Sequence, residues 1–124
     1  MKENAIWENE HFFLLKHDSI LPWVKLFTKE PYKELHEVPF QIKMEMFGLI
    51  EEIELLLIDT FLPDKINIAS FGNQLPHLHW HIIARFNNDP YFPNTPWQEP
   101  LRKTNLALPP FDLFVQKLQK LNSF

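Results

Sequence analysis

The stretch Pro76-His77-Leu78-His79-Trp80-His81-Ile82-Ile83-Ala84-Arg85 constrains the fold more than any other part of the chain. Its histidines alternate with Leu78, Trp80 and Ile82. Side chains of a β-strand point to opposite faces with period two, so the spacing predicts a strand with all three imidazoles on one face. Ile83 and Arg85 continue that face, while Leu78, Trp80, Ile82, Ala84 and Phe86 form an apolar one. Pro76 lacks an N–H for the ladder, which places the start of the strand near it. Gly72, one of only 2 glycines, marks the turn that feeds the strand.

The preceding chain supplies partners. Phe12–Leu15 and Trp23–Phe27 read as two strands of a hairpin joined through Lys16–Pro22. Asp18 in that connection reads first as turn chemistry, because a short acidic side chain bonds nearby backbone. Trp7–Glu10 is too short and polar to assign. From Pro39 the period changes to 3.6: Met46, Ile50, Ile53, Leu57 and Phe61 make one stripe of a helix over 39–62, with Glu45, Gly48, Glu52 and Asp59 opposite. Pro63 ends it. Leu55 lies outside the stripe. Lys65–Phe71 reads as the strand that partners the histidine strand. Residues 87–100 are a proline-punctuated loop with three aromatics, and Phe111, Phe114, Val115, Leu118 and Leu121 mark a short amphipathic helix.

A chain of 124 residues is expected to form one domain, with its core at about 11–86 and residues 87–124 as loop and terminal helix. A net charge of −4 argues against gripping a nucleic-acid backbone, which needs clustered cations. The absence of cysteine excludes a disulfide framework, and the longest apolar run, Leu55–Ile58, is far shorter than the ~20 residues of a membrane helix. No membrane partner and a cytoplasmic location are the expectations.

His77-x-His79-x-His81, followed by apolar residues and led by a glycine and amides, resembles the signature of the histidine triad (HIT) family of nucleotide hydrolases and transferases. The resemblance covers roughly 11–86. It implies an α+β fold: an antiparallel sheet of about five strands, one long helix packed on a face and a short C-terminal helix. It implies a homodimer, a nucleotide substrate and no cofactor. It also implies roles: His79 as nucleophile on the α-phosphate, His77 and His81 as orienting and phosphate-binding partners, Asn67, Asn73 and Gln74 as phosphate donors, and Asp18 as a ribose contact. Asn73 and Gln74 stand where family members carry a glutamine and a hydroxyl residue, and Phe27-Thr28-Lys29-Glu30 replaces the family's Pro-Lys-x-His. Dinucleoside polyphosphates, diadenosine tetraphosphate among them, and nucleoside phosphoramidates are the implied substrates.

The chemistry is consistent with the residue type. A neutral imidazole is a nucleophile, and its pKa near 6.5 keeps it mostly neutral at physiological pH. Attack on phosphorus gives a covalent nucleotidyl-histidine and divides one difficult displacement into two. Two alternatives remain open at this point: a metal-dependent hydrolase using His-x-His ligands, and a non-catalytic nucleotide-binding module. A straight strand separates His77 from His81 by about 13 Å, too far for both to reach one ion. Two of the three plus a carboxylate from elsewhere could still bind one, but the covalent step needs no metal and none is expected.

Overall fold

Two apolar runs pair first: β2 (Phe12–Lys16) and β3 (Trp23–Thr28) form an antiparallel hairpin with Phe13 opposite Phe27 and Leu15 opposite Lys25. The computed structural model describes residues 2–121. Its sheet is completed by β1 (Trp7–Glu8), β4 (Lys65–Ala69) and β5 (His79–Arg85), in the order β1-β2-β3-β5-β4 with every neighbouring pair antiparallel. The histidine strand therefore lies inside the sheet, between β3 and the edge strand β4.

Alternation sorts the two faces. Phe12, Leu14, Val24, Leu26, Ile82 and Ala84 pack with Met46, Ile50, Ile53, Leu57 and Phe61 of helix α1 (Phe40–Phe61) in the main core. The opposite face carries a smaller apolar cluster of Phe13, Leu15 and Phe27, which underlies the site. The expected stripe of α1 is thus the buried one, and Leu55 is exposed. The helix stops at Leu62, whose left-handed φ of 50° turns the chain while its N–H still bonds the Ile58 carbonyl at 2.9 Å. Pro63 follows and has no N–H with which to continue. Helix α2 (Phe111–Leu118) docks on α1 of its own chain: Phe111 and Phe114 lie 6.2 and 6.3 Å from the Phe61 ring, and Lys117 bonds Asp59 at 2.8 Å.

Two strand boundaries, one short strand and one side chain differ from expectation. β5 begins at His79, not near Pro76. The reason is backbone pairing: the N–H of His77 turns back to the Leu75 carbonyl at 2.7 Å, and that of Leu78 goes to Tyr32 at 2.7 Å. β4 ends at Ala69 rather than Phe71, where the chain leaves the ladder and Ser70 Oγ bonds the His79 carbonyl at 2.7 Å. Trp7–Glu8 does form a strand, held against Leu14 and Phe13. Glu52, on the side of α1 opposite the stripe, has its Oε2 buried and, like the indole nitrogen of Trp80, without a hydrogen bond among the described residues.

Candidate active site

The register brings the functional side chains to one face. His79 stands opposite Phe27 and His81 opposite both Lys25 and Ala69. Phe27 stacks on His79 with centroids 4.6 Å apart and is itself stacked on Phe13 at 5.0 Å. The imidazole thus rests on a floor of two rings, which fixes its plane. His77 precedes the strand, yet its ring meets the edges of Phe27 at 5.3 Å and Phe13 at 6.3 Å, so it shares the face. Its Nε2–H donates to the Thr28 carbonyl at 2.6 Å.

Hydrogen bonds set the tautomers of the other two. His79 Nδ1 lies 2.8 Å from the His77 carbonyl, which can only accept, so Nδ1 carries the proton and Nε2 keeps its lone pair. For His81 the polarity is reversed. The indole N–H of Trp23 donates to His81 Nδ1 at 3.0 Å in a buried bond, so the proton sits on Nε2. His81 is 7% exposed, and burial, helped by the neighbouring His79, His17 and Lys25, pushes its pKa down to about 4. The ring is neutral at physiological pH.

That depressed pKa has a consequence for stability. Between about 4 and the ordinary 6.5 the unfolded chain protonates this histidine and the native chain does not. Stability is therefore expected to fall as pH drops through that window and to gain nothing more from this group above it. Burial lowers the pKa of His17, the ring stacked 3.9 Å from Trp23, in the same direction. Urea denaturation at pH 7.5, 6 and 5 would show the decline; a flat profile would mean that His81 is protonated in the native fold.

Above these rings lies an open cleft of about 620 Å³. His79, His81, Asn73 and Gln74 all line it, so these four candidates are brought together. Gly72, at φ 68°, starts the tight loop that carries the two amides; a Cβ there would come 3.3 Å from the Leu75 carbonyl. His77 sits behind, at the entry to the strand. Asn67 is on the correct face, opposite Ile83, but outside the lining, and its Oδ1 accepts from Arg85 Nη1 at 2.9 Å. Asp18 lines a neighbouring cleft instead.

The remaining walls were not singled out as site residues in the sequence. Lys25 lines the cleft, its pKa lowered by burial, and its position in an otherwise apolar strand was a signal available to be read. Trp97 from the proline-rich loop stands edge-on to His81 at 4.9 Å, to Phe71 at 5.1 Å and to Trp23 at 5.1 Å. Among the described residues, no group of three His, Asp or Glu side chains is arranged to hold a metal ion. No described helix is long and apolar enough to cross a membrane.

Arg85 fastens that loop. Only 2% exposed, it bonds Asp89 through Nε at 2.9 Å and Nη2 at 3.2 Å, and the Asn94 carbonyl through Nη2 at 2.8 Å. Burial opposes ionisation of Asp89, but the guanidinium and the N–H groups of Phe86, Tyr91 and Phe92 outweigh it and hold the carboxyl below its usual range.

Comparison with known structures agrees with this architecture. A histidine triad protein from Bradyrhizobium japonicum is 26% identical, with 96% of this chain and 91% of that chain covered at a TM-score of 0.78. A second, from Marinobacter aquaeolei VT8, is 29% identical over 81% of this chain and 76% of that one, with a TM-score of 0.71. A diadenosine triphosphate hydrolase from Plasmodium falciparum, 15% identical, shares the fold at a TM-score of 0.63 over 96% of this chain and 74% of that one. Among curated proteins, none matches. The family model of the HIT domain matches residues 1–88, which include the sheet, α1 and all three triad imidazoles, and the chain accordingly belongs to the histidine triad family.

Proposed function

We propose that the chain is a nucleotide hydrolase or transferase that works through a covalent nucleotidyl-histidine on His79. The observation that carries this reading is the opposite protonation of two adjacent rings: His79 has its lone pair on Nε2, whereas His81 has its hydrogen there. One is set to attack phosphorus, the other to donate to a phosphoryl oxygen.

In the first step His79 Nε2 forms a bond to the α-phosphorus as the bond to the leaving group breaks. The leaving group departs with the bonding pair and is protonated by solvent as its basicity requires. Positive charge on the substituted imidazole is met by the Nδ1–H bond to the His77 carbonyl. Water then attacks, the N–P bond breaks, the nucleotide leaves and a proton goes to solvent; an acceptor in place of water makes the reaction a transfer. His81 acts as a hydrogen-bond donor throughout and not as a proton relay, because the indole N–H on its other nitrogen cannot accept a proton. Lys25, Asn73 and Gln74 supply further positive potential and donors to the phosphate. Asn67, held by Arg85, retains a supporting role one strand position away.

Purified protein should be screened against adenylated and guanylated substrates, phosphoramidates and dinucleoside polyphosphates, with and without a chelator. Turnover that survives chelation supports the reading. Turnover that needs added zinc favours the metal alternative, and nucleotide binding without turnover favours the binding module. Trp23→Phe should lower kcat about 10- to 100-fold, because one donor to the transferring phosphate typically contributes ~10²–10³ and only part of that depends on this tautomer. Nitrogen chemical shifts of His81 should move with it; unchanged shifts and rate would remove Trp23 from the mechanism.

The same proposal includes a homodimer. On α1 a second apolar set of Phe40, Met44, Phe47, Leu55 and Ile58 is exposed on one side, interrupted by Glu51 and continued by Leu62 just past the helix end, and a tolerated single leucine does not explain that many. Phe111 and Phe114 of α2 do not add to it, since both are spent on Phe61, and Phe124 lies outside the described residues. Light scattering is expected to give twice the monomer mass, and Phe47→Glu to halve it at unchanged circular dichroism.

A further inference from the structure

Glu51 interrupts the exposed apolar set on α1, and the set is symmetrical about it. Leu55, Ile58 and Leu62 follow Glu51 by 4, 7 and 11 positions, and Phe47, Met44 and Phe40 precede it by the same 4, 7 and 11. All six are exposed in the single chain. Steps of four, three and four return a helical side chain to one seam, so the seam presents the same order of apolar and acidic positions from either end.

Such a pattern fits one partner, a second copy of itself. An isologous interface uses the same patch on both subunits. A two-fold axis between antiparallel helices therefore sets the position a given number of residues before the axis beside the position that number after it. An axis through residue 51 layers Phe47 with Leu55 of the second copy, Met44 with Ile58 and Phe40 with Leu62. Every apolar position gains an apolar neighbour. A register shifted by one turn instead sets Glu51 against Leu55 or Phe47 and buries a carboxylate on hydrocarbon.

The centre of this register is electrostatically opposed. There the Glu51 carboxylates of the two copies meet. Glu54 stands half-buried beside the same seam and adds a second acid from each copy. Lys43, the only cation of α1, is about two turns away, and Trp80, which meets Phe47 from β5 at 5.8 Å, brings no charge.

We propose that α1 pairs with a second copy of itself antiparallel about Glu51, and that the two Glu51 carboxylates on the axis place monomer and dimer in a charge-controlled equilibrium. The inference rests on the homodimer of the preceding subsection, to which it adds a register and a control. Like charges brought together at an interface oppose association. As pH falls the pair of carboxylates takes up a proton, the repulsion goes and the dimer tightens.

The chain contains no cysteine, so the register can be read by introducing one. Oxidation should join Glu51→Cys to its own counterpart, because only a residue on the axis meets itself within disulfide reach. Met44→Cys should not join itself, its two copies lying about 21 Å apart along the helices, but should join Ile58→Cys when the two variants are mixed. Sedimentation equilibrium of the full chain should show the dimer Kd falling from pH 7.5 to 5.5. Glu51→Gln should associate about tenfold more tightly than the parent at pH 7.5 and lose most of that pH dependence. A dimer whose Kd is unmoved by Glu51→Gln, or which crosslinks through Met44→Cys alone, overturns the inference and leaves the homodimer standing. A monomer in both the parent and Glu51→Gln removes the homodimer as well.

Discussion

His79→Ala is expected to reduce turnover by a factor of about 10⁴–10⁶, the range seen when a covalent nucleophile is removed, and to abolish the nucleotidyl adduct. The loss should be unequal across the triad. Of the three imidazoles, His79 alone has its proton placed on Nδ1, by the His77 carbonyl, which leaves the lone pair of the neutral ring on Nε2. Replacing His81 removes one donor to the phosphate, for which about 10²–10³ is typical. Replacing His77 disturbs a ring bonded to the Thr28 carbonyl but leaves the carbonyl that orients His79, so its cost should be smallest. Quenching an adenylated substrate during turnover and weighing the protein should reveal the adduct in the parent, and peptide mapping should place it at residue 79. An enzyme that keeps its rate in His79→Ala, or forms its adduct elsewhere, does not work by this route.

Asp89→Ala is expected to lower unfolding free energy by about 3–5 kcal/mol, the usual cost of leaving half of a buried ion pair. Arg85 would be stranded at 2% exposure with Asn67 and the Asn94 carbonyl as its remaining partners. The N–H groups of Phe86, Tyr91 and Phe92 would lose their acceptor as well. Arg85→Met removes the cation and leaves those three bonds, and methionine fills much of the volume, so its loss should be the smaller of the two. Urea midpoints would decide the order. Equal and small losses would mean that the loop is held by apolar packing.

The alternation at His77–Arg85 made the histidine face legible because period two is a local property of one strand, and the 3.6-residue stripe made α1 legible for the same reason. What could not be read depends on distant pairs. The indole of Trp23 reaches His81 across 58 positions, and nothing in either neighbourhood announces the bond. Trp97 reads as one aromatic among several in a loop until the sheet shows which ring it meets. The resemblance implies Asn67 as a phosphate donor, whereas its orientation is decided by Arg85, 18 positions later. Two-residue β1 has no period at all, and exists because Phe13 and Leu14 offer it an edge.

The Arg85–Asp89 bond also spans a seam, for Arg85 lies within the segment that matches the HIT domain and Asp89 is the first residue after Asn88, where that match ends. The histidine strand and the loop that walls its cleft are thus joined by one guanidinium, like a faceplate on a fixed chassis. Replacing residues 90–105 while keeping Asp89 would exchange that wall, Trp97 included, and with it the ring that stands edge-on to His81. The wall and the strand beneath it are separate parts of the chain that meet at Arg85 and at Trp97.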